Sequence, residues 1–391
     1  MRRRVWLIGG VALLGAAGGG WWWWSGRPGE MSLGPPGLLP PLLRVTVGEE
    51  DRLIVLTRRR QREIRTSGGG FAGERVEIRG FEAATLRPRF TAPLLSVPGG
   101  LGAGSEIIAA QGATVWVFAG GFGAASAVDG GLLADGPGLE RSNPSLHGRM
   151  RDDRDAYRFE RGMLILRTQD GSRWRLDPLS LRVDSRTEPP SDPPPTRLPV
   201  PLRDPAAFLL PEFRQGQGWL GLIPAATKEP DPRRLSTELY RPGIPDAARE
   251  PRRLWRGDLT ADEWGRPDRI ANPQPLAIEP QGLFQAGFLT DGTRDASNRA
   301  DPMRLSNPDG GLLLYRRSAA GPLHLARLDA KGTVQWRAAL PAGKLTAVLP
   351  GTPLLLAGAR LEDAAELLIA VDAATGAVRA YDLAAETLLP S

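Results

Sequence analysis

Leu368-Ile-Ala-Val-Asp-Ala-Ala-Thr-Gly-Ala-Val378 is the stretch on which the fold turns. A short apolar run, Leu367–Val371, enters Asp372-Ala-Ala-Thr-Gly376, and a second run, Ala377–Tyr381, leaves it. Runs of four or five residues bounded by Asp and Gly read as strands, not helices. Asp can accept a backbone N–H within the turn, and Gly can take the positive φ that closes it. Forty residues upstream the arrangement recurs: Leu312–Arg316, a turn at Ala319-Ala-Gly-Pro322, Leu323–Leu328, a turn at Asp329-Ala-Lys-Gly332, then Thr333–Ala338. Three strands joined by two such turns form an antiparallel meander.

Farther out the same mark appears in weaker form. Met163–Leu166 passes through Asp170-Gly171 to Arg173-Trp-Arg-Leu176 and then Asp177-Pro-Leu-Ser-Leu181, and further copies stand at Glu82, Asp129 and Asp231. The steps between acidic positions 82, 129, 177, 231, 329 and 372 are 47, 48, 54, 98 and 43 residues. The long step equals two periods, which places a degraded copy near Glu279-Pro-Gln-Gly282. A period near 43–50 residues with a few strands in each unit is the sequence signature of propeller blades. Each small sheet cannot cover both its faces alone, and stacking the sheets about an axis covers them all. The expectation is an all-β fold, a β-propeller of about seven blades with six or eight also open. It spans residues 42–391, with loop insertions near 187–205 and 241–275.

Leu368–Val378 and Arg327-Leu-Asp-Ala-Lys-Gly-Thr-Val-Gln-Trp336 resemble the repeats of quinoprotein-type (PQQ-like) propellers. Those repeats carry an apolar strand, an Asp-x-x-x-Gly turn and a following strand often ending in Trp. The layout also resembles uncharacterised membrane-anchored bacterial envelope proteins. The resemblance implies fold before activity. Quinone-using members hold their cofactor in a central pocket, often with a vicinal cysteine pair; this chain has no cysteine.

The N-terminus sets location. Met1-Arg-Arg-Arg4 precedes an uncharged stretch from Val5 to Trp24. Twenty residues at 1.5 Å span about 30 Å, the thickness of a bilayer core. Arginines stay cytoplasmic and the indoles of Trp21–Trp24 favour the far headgroup zone. Residues 1–24 therefore read as a signal anchor, a transmembrane helix that leaves the body on the periplasmic side of the inner membrane. A cleaved signal peptide ending near Gly15-Ala-Ala17 and a twin-arginine signal are the alternatives; all three export the body. Residues 25–41, with Pro28, Pro35, Pro36, Pro40 and Pro41, read as a Pro/Gly-rich linker. Thr187–Pro205, with eight prolines, reads as a surface loop or polyproline segment.

Composition narrows the function. Without cysteine the chain has no disulfide, thiol nucleophile, Cys-ligated zinc or lipobox. Net charge is +6, three units of it from Arg2–Arg4, which is too little on such a body to imply nucleic acid. The basic run Arg58, Arg59, Arg60, Arg62 and Arg65 reads as the solvated end of a strand, with a phosphate or anionic-lipid patch as the alternative.

Candidate chemistry is sparse. His147 and His324 are the two histidines, and His324 alternates with Ala326 and Leu328 as a strand residue would. Gly121-Phe-Gly123 half-matches a dinucleotide fingerprint, but nothing after it reads as the required helix. Asp291, Asp295, Asn298 and Asp301, and likewise Asp152, Asp153 and Asp155, crowd oxygen atoms among arginines with no EF-hand spacing. No catalytic, cofactor-binding or metal residue is assigned. The expectation is a non-enzymatic, membrane-anchored envelope protein presenting a propeller platform to a protein or glycan. A quinoprotein-like dehydrogenase or propeller hydrolase is the alternative.

Overall fold

The computed structural model describes residues 31–63, 70–98, 105–160, 163–177, 179–184, 209–210, 212–215, 217–226, 251–260, 269–294, 300–302 and 310–390. These form six antiparallel sheets in succession. The first holds β1 (Met31–Leu33), β2 (Gly37–Val47), β3 (Glu50–Glu63), β4 (Gly70–Glu82) and β5 (Pro88–Pro98). The second holds β6 (Glu106–Gln111), β7 (Thr114–Phe118), β8 (Phe122–Ser126) and β9 (Leu132–Asp135). The third holds β10 (Tyr157–Glu160), β11 (Met163–Arg167), β12 (Arg173–Leu176) and β13 (Val183–Asp184). β14 (Leu209–Leu210) joins the fifth sheet, while β15 (Glu212–Gln215), β16 (Gly218–Pro224), β17 (Arg252–Thr260) and β18 (Arg269–Leu276) make the fourth. The fifth continues with β19 (Phe284–Arg294), β20 (Ala300–Pro302), β21 (Gly311–Arg316), β22 (Leu323–Leu328) and β23 (Val334–Ala339). β24 (Lys344–Leu349), β25 (Leu354–Ala359), β26 (Glu366–Val371), β27 (Val378–Asp382) and β28 (Thr387–Leu388) complete the sixth.

The apolar faces meet in a fixed order. Ile54, Leu56, Val76 and Ile78 of the first sheet pack on Ile107, Val115 and Val117 of the second. Trp116, Phe118 and Phe122 continue that sheet onto Tyr157, Leu164 and Leu166 of the third. Leu53, Val55 and Phe81, on the opposite face of the first sheet, meet Leu355, Leu368 and Tyr381 of the sixth. The sixth packs on the fifth through Leu356, Leu367 and Ile369 against Leu312, Leu325 and Trp336. The fifth packs on the fourth through Leu313 and Tyr315 against Leu220 and Leu254. The leading strands touch in the same order, β10 to β6 to β2 to β24 to β19 to β15. Period-2 alternation explains this: in β3 the even residues face one neighbouring sheet and the odd residues the other. The fold is all-β and propeller-like.

The recurring turn occupies one structural place. Glu82–Leu86, Asp177–Leu181, Asp329–Gly332 and Asp372–Gly376 each join the last two strands of a four-strand meander: β4–β5, β12–β13, β22–β23 and β26–β27. Asp372 Oδ1 accepts from the N–H of Ala374 (3.0 Å) and Thr375 (2.7 Å), and Gly376 closes the turn at φ 75°. Three of the meander turns also bond to the sheet beside them. Trp336 Nε1 donates to Ala373 O at 3.0 Å and Arg327 Nη1 to the same oxygen at 2.6 Å. Arg379 donates to Ala84 O at 3.1 Å, and Arg52 to Val128 O at 2.6 Å. The turns therefore line one end of the stack.

The described residues form six sheets, within the expected range of about seven blades with six or eight open. Several expectations are corrected. Glu279–Gly282 is no blade mark; it lies on the connection from β18 to β19, with Gly282 N–H bonded to Glu279 O at 3.2 Å. In the second sheet the turn begins at Ser126, whose Oγ accepts from Val128 N at 3.1 Å, so Asp129 lies three positions late. Residues 37–41 are not linker but part of β2, and 31–33 form β1. Pro40 and Pro41 fall where the β2–β3 register shifts between Leu39 and Leu43, so their missing N–H groups interrupt no ladder. Much of 241–275 is no insertion either: β17 and β18 are strands of the body, with Trp255 buried, and Pro273 and Pro275 sit on an edge strand. The anchor at 1–24, the mark at Asp231 and the segment 187–205 lie outside the described residues. Among the described residues no helix is long and apolar enough to cross a membrane.

Candidate functional site

Antiparallel succession sorts the connections between two ends. The turns described above close one end. From the other leave the longest connections, 136–156, 185–208 and 225–251, together with the turn at 317–322. Residues 136–156 carry the short helix α1 (Gly136–Ser142), started by Asp135, whose Oδ1 accepts from Gly138 N. The connection runs along the flank between the second and third sheets, where Asn143 donates to Leu181 O (2.9 Å) and accepts from Val183 N (2.9 Å). It returns to pair Arg149 O with Gln169 N (2.9 Å).

The densest polar cluster with a histidine lies at this longer-connection end of the fifth sheet. Tyr315, at the end of β21, faces His324 at the start of β22, ring centroids 5.5 Å apart. The Tyr315 hydroxyl donates to Glu279 Oε1 at 2.9 Å. The same oxygen lies 3.1 Å from Arg317 Nε and 3.7 Å from Arg337 Nη1. Burial, then the bond to Glu279, pushes the Tyr315 phenol up to about 12, so it donates at neutral pH and is not a base. His324 Nδ1 lies 3.2 Å from Pro322 O. A carbonyl only accepts, so Nδ1 carries the hydrogen. Burial pulls His324 below its usual range, which favours the neutral ring. Glu279 Oε1 is shared by Tyr315, Arg317 and Arg337, and this ties the 277–283 connection to the fifth sheet.

A second cluster lies between the first and sixth sheets. Glu77 Oε2 accepts from Arg59 Nε (3.1 Å) and Arg79 Nη2 (2.8 Å), while Arg75 Nε is 3.4 Å from Oε1. Arg79, 2% exposed, also reaches Thr57 Oγ1 (3.0 Å) and Glu386 (2.9 Å). Arg59 pairs with Glu386 and donates to Gly34 O (3.3 Å), tying the entry of the chain to its end. Arg58 and Arg60 are exposed, and Arg58 lies within electrostatic reach of Glu366.

Other residues singled out in the sequence are scattered. His147 is exposed beside a 3₁₀ turn. Gly121–Ser126 is a turn and then β8, a hairpin without a helix. Asp153 caps Asp155 N at 2.8 Å and pairs with Arg151 at 2.7 Å. Asp291 and Asp301 stand on the paired strands β19 and β20, while Asp295 and Asn298 lie outside the described residues. Among the described residues no group of His, Asp and Glu could hold a metal ion. Among the described residues, shallow depressions of about 390 Å³ beside α1 and β9 and of about 450 Å³ at the short-turn end of the first sheet, beside Glu50, Asp51 and Glu82, are present. Sequence reasoning missed Glu279 as a partner of Tyr315, because the contact spans 36 positions.

The class these features define is an all-β, propeller-like protein. No protein-family profile matches the chain, and no curated protein does. Among solved structures, a mutant of the Synechocystis apocarotenoid oxygenase aligns at 10% identity and TM-score 0.25, over 87% of this chain and 60% of that one. A quinohemoprotein alcohol dehydrogenase from Pseudomonas putida HK5 aligns at 10% identity and TM-score 0.24, over 90% of this chain and 68% of that one. The chain thus spans about 60% of the oxygenase's length. At these scores neither likeness carries an argument about what this chain does.

Proposed function

We propose that the chain is a membrane-tethered, extracytoplasmic six-bladed propeller, and that it acts as a non-enzymatic platform binding a protein or glycan partner. The observation that supports the reading is the asymmetry of the two ends. Turns at one end are mostly short and satisfy their own polar groups; the three longest connections all leave from the other. Connections between the strands of a rigid scaffold are where binding residues concentrate. Contact between successive leading strands supports the ring, and the apolar stretch Val5–Trp24 behind three arginines supports the tether.

Photo-crosslinkers placed in the full chain at each end, in turn, test this in envelope preparations. Defined adducts from the longer-connection end alone support the platform; none, or equal adducts from both ends, refute it. The quinoprotein alternative is separated by absorbance: a spectrum unchanged after quinone and calcium are added removes it.

A further inference from the structure

We propose that the body stands on its membrane with the longer-connection end toward the bilayer, where Arg58 and Arg60 meet anionic lipid headgroups. This rests on the tether of the preceding section and deepens it. β1 pairs with the far end of β3, Met31 opposite Glu63 and Leu33 opposite Gln61. β2 then runs back along β3 until Val47 faces Glu50 at the short-turn end. Whatever precedes Met31 therefore joins the body at the longer-connection end.

Lengths decide the orientation. Residues 25–30 connect Trp24 to Met31, and at about 3.6 Å per step they reach at most about 25 Å. The fourteen residues of β3, at about 3.3 Å each, separate the two ends by about 45 Å. The tether cannot run from the membrane past the whole first sheet, so the short-turn end cannot be the one set against the bilayer. Arg60 lies three residues below the Met31–Glu63 pair, about 10 Å along the strand, comparable with the screening length of about 8 Å at physiological salt.

The charge is placed to match. Below Arg58 the even face of β3 (Ile54, Leu56) is buried on the second sheet. Above that interface the same face carries Arg58 and Arg60, both exposed. Arg59, on the odd face, is consumed by Glu77 and Glu386. Guanidinium forks beside a short tether suit phosphate headgroups. The partner would then be met between the body and the bilayer.

The chain has no cysteine, so single probes are placed cleanly: Ala320→Cys in the 317–322 turn and Ala374→Cys in the 372–376 turn, both exposed. Each labelled full-length chain is reconstituted into phosphatidylcholine vesicles with or without phosphatidylglycerol, carrying a headgroup-linked energy acceptor. Retention through an alkaline carbonate wash tests the tether; release overturns the tether and the orientation with it. In retained protein, transfer from position 320 must exceed that from 374, and equal or reversed transfer overturns the orientation with the tether intact. Arg58→Glu combined with Arg60→Glu is expected to lower transfer from 320 on anionic vesicles to its phosphatidylcholine level. Transfer indifferent to both lipid and substitution overturns the headgroup contact. Unchanged melting temperatures of the variants show that folding is not the cause.

Discussion

Replacing Gly376 by Ala tests whether the sheets are locked to one another through their turns. Gly376 has φ 75°, and a Cβ there would lie 2.7 Å from Cδ2 and Cε3 of Trp336, which reaches across from the fifth sheet. The left-handed conformation costs a non-glycine residue about 1–2 kcal/mol. Forcing a methyl into a packed contact costs about 1–3 kcal/mol more, since Trp336 is buried and held by its bond to Ala373 O. Gly376→Ala should therefore destabilise by about 2–5 kcal/mol. At roughly 2 °C per kcal/mol for a body of this size, that is a melting temperature lower by about 4–10 °C. Far-ultraviolet circular dichroism of the full chain in detergent reads it. Trp336→Leu removes the obstruction but not the φ cost. In the double variant the clash is relieved, so the combined loss should fall short of the sum by about 1–3 kcal/mol. A Gly376→Ala chain within about 0.5 kcal/mol of the parent, or strict additivity in the cycle, refutes the locking contact.

Glu77→Ala leaves Arg59, Arg75 and Arg79 around a buried vacancy and should cost about 3–5 kcal/mol in thermal unfolding. Glu386→Ala, at a half-exposed carboxylate, should cost under about 1 kcal/mol. His324 resists protonation in the fold; as pH drops below about 6.5 the unfolded chain takes the proton and the native state does not. Stability should thus decline from pH 7.5 to pH 5.5, and His324→Gln should flatten that decline in melting scans. Alkaline titration at 295 nm should show Tyr157, Tyr315 and Tyr381 ionising above the usual tyrosine range, with Tyr315 near 12; a single transition near 10 for all four tyrosines contradicts their burial.

Strand and turn were legible wherever the turn chemistry lay within five consecutive residues. Leu312–Arg316 and Leu323–Leu328 fall within a residue of β21 and β22, and Asp372 and Asp329 do what their side chains allow. Reading failed where another residue performs the same task. Ser126 supplies the oxygen that Asp supplies elsewhere, and Leu86 and Leu181 take positive φ without glycine, at φ 57° and 53°. Strands β17 and β18 were read as an insertion because β17 shows little beyond Leu254, Trp255 and Leu259 to mark it as core, and its polar residues read as loop. The false mark at Glu279 accounts for a count of seven where the described residues form six sheets. The polar clusters were invisible for a different reason: Glu77 gathers arginines from two strands, and Glu279 gathers Tyr315, Arg317 and Arg337 from more than thirty positions away, and spacing records neither.

The first sheet is flanked on one side by the last. Leu38 N–H donates to Glu366, and Arg44 to Pro353 O, across more than three hundred residues. A chain emerging N-terminus first must keep the odd side of β3 uncovered until its final fifty residues arrive. Contacts so distant along the polypeptide form slowly, and the waiting strands are open to mispairing meanwhile. Truncation near residue 340 should thus leave a sticky, unfinished assembly and not a smaller soluble one, so holding factors during synthesis would matter more for this molecule than its equilibrium stability does.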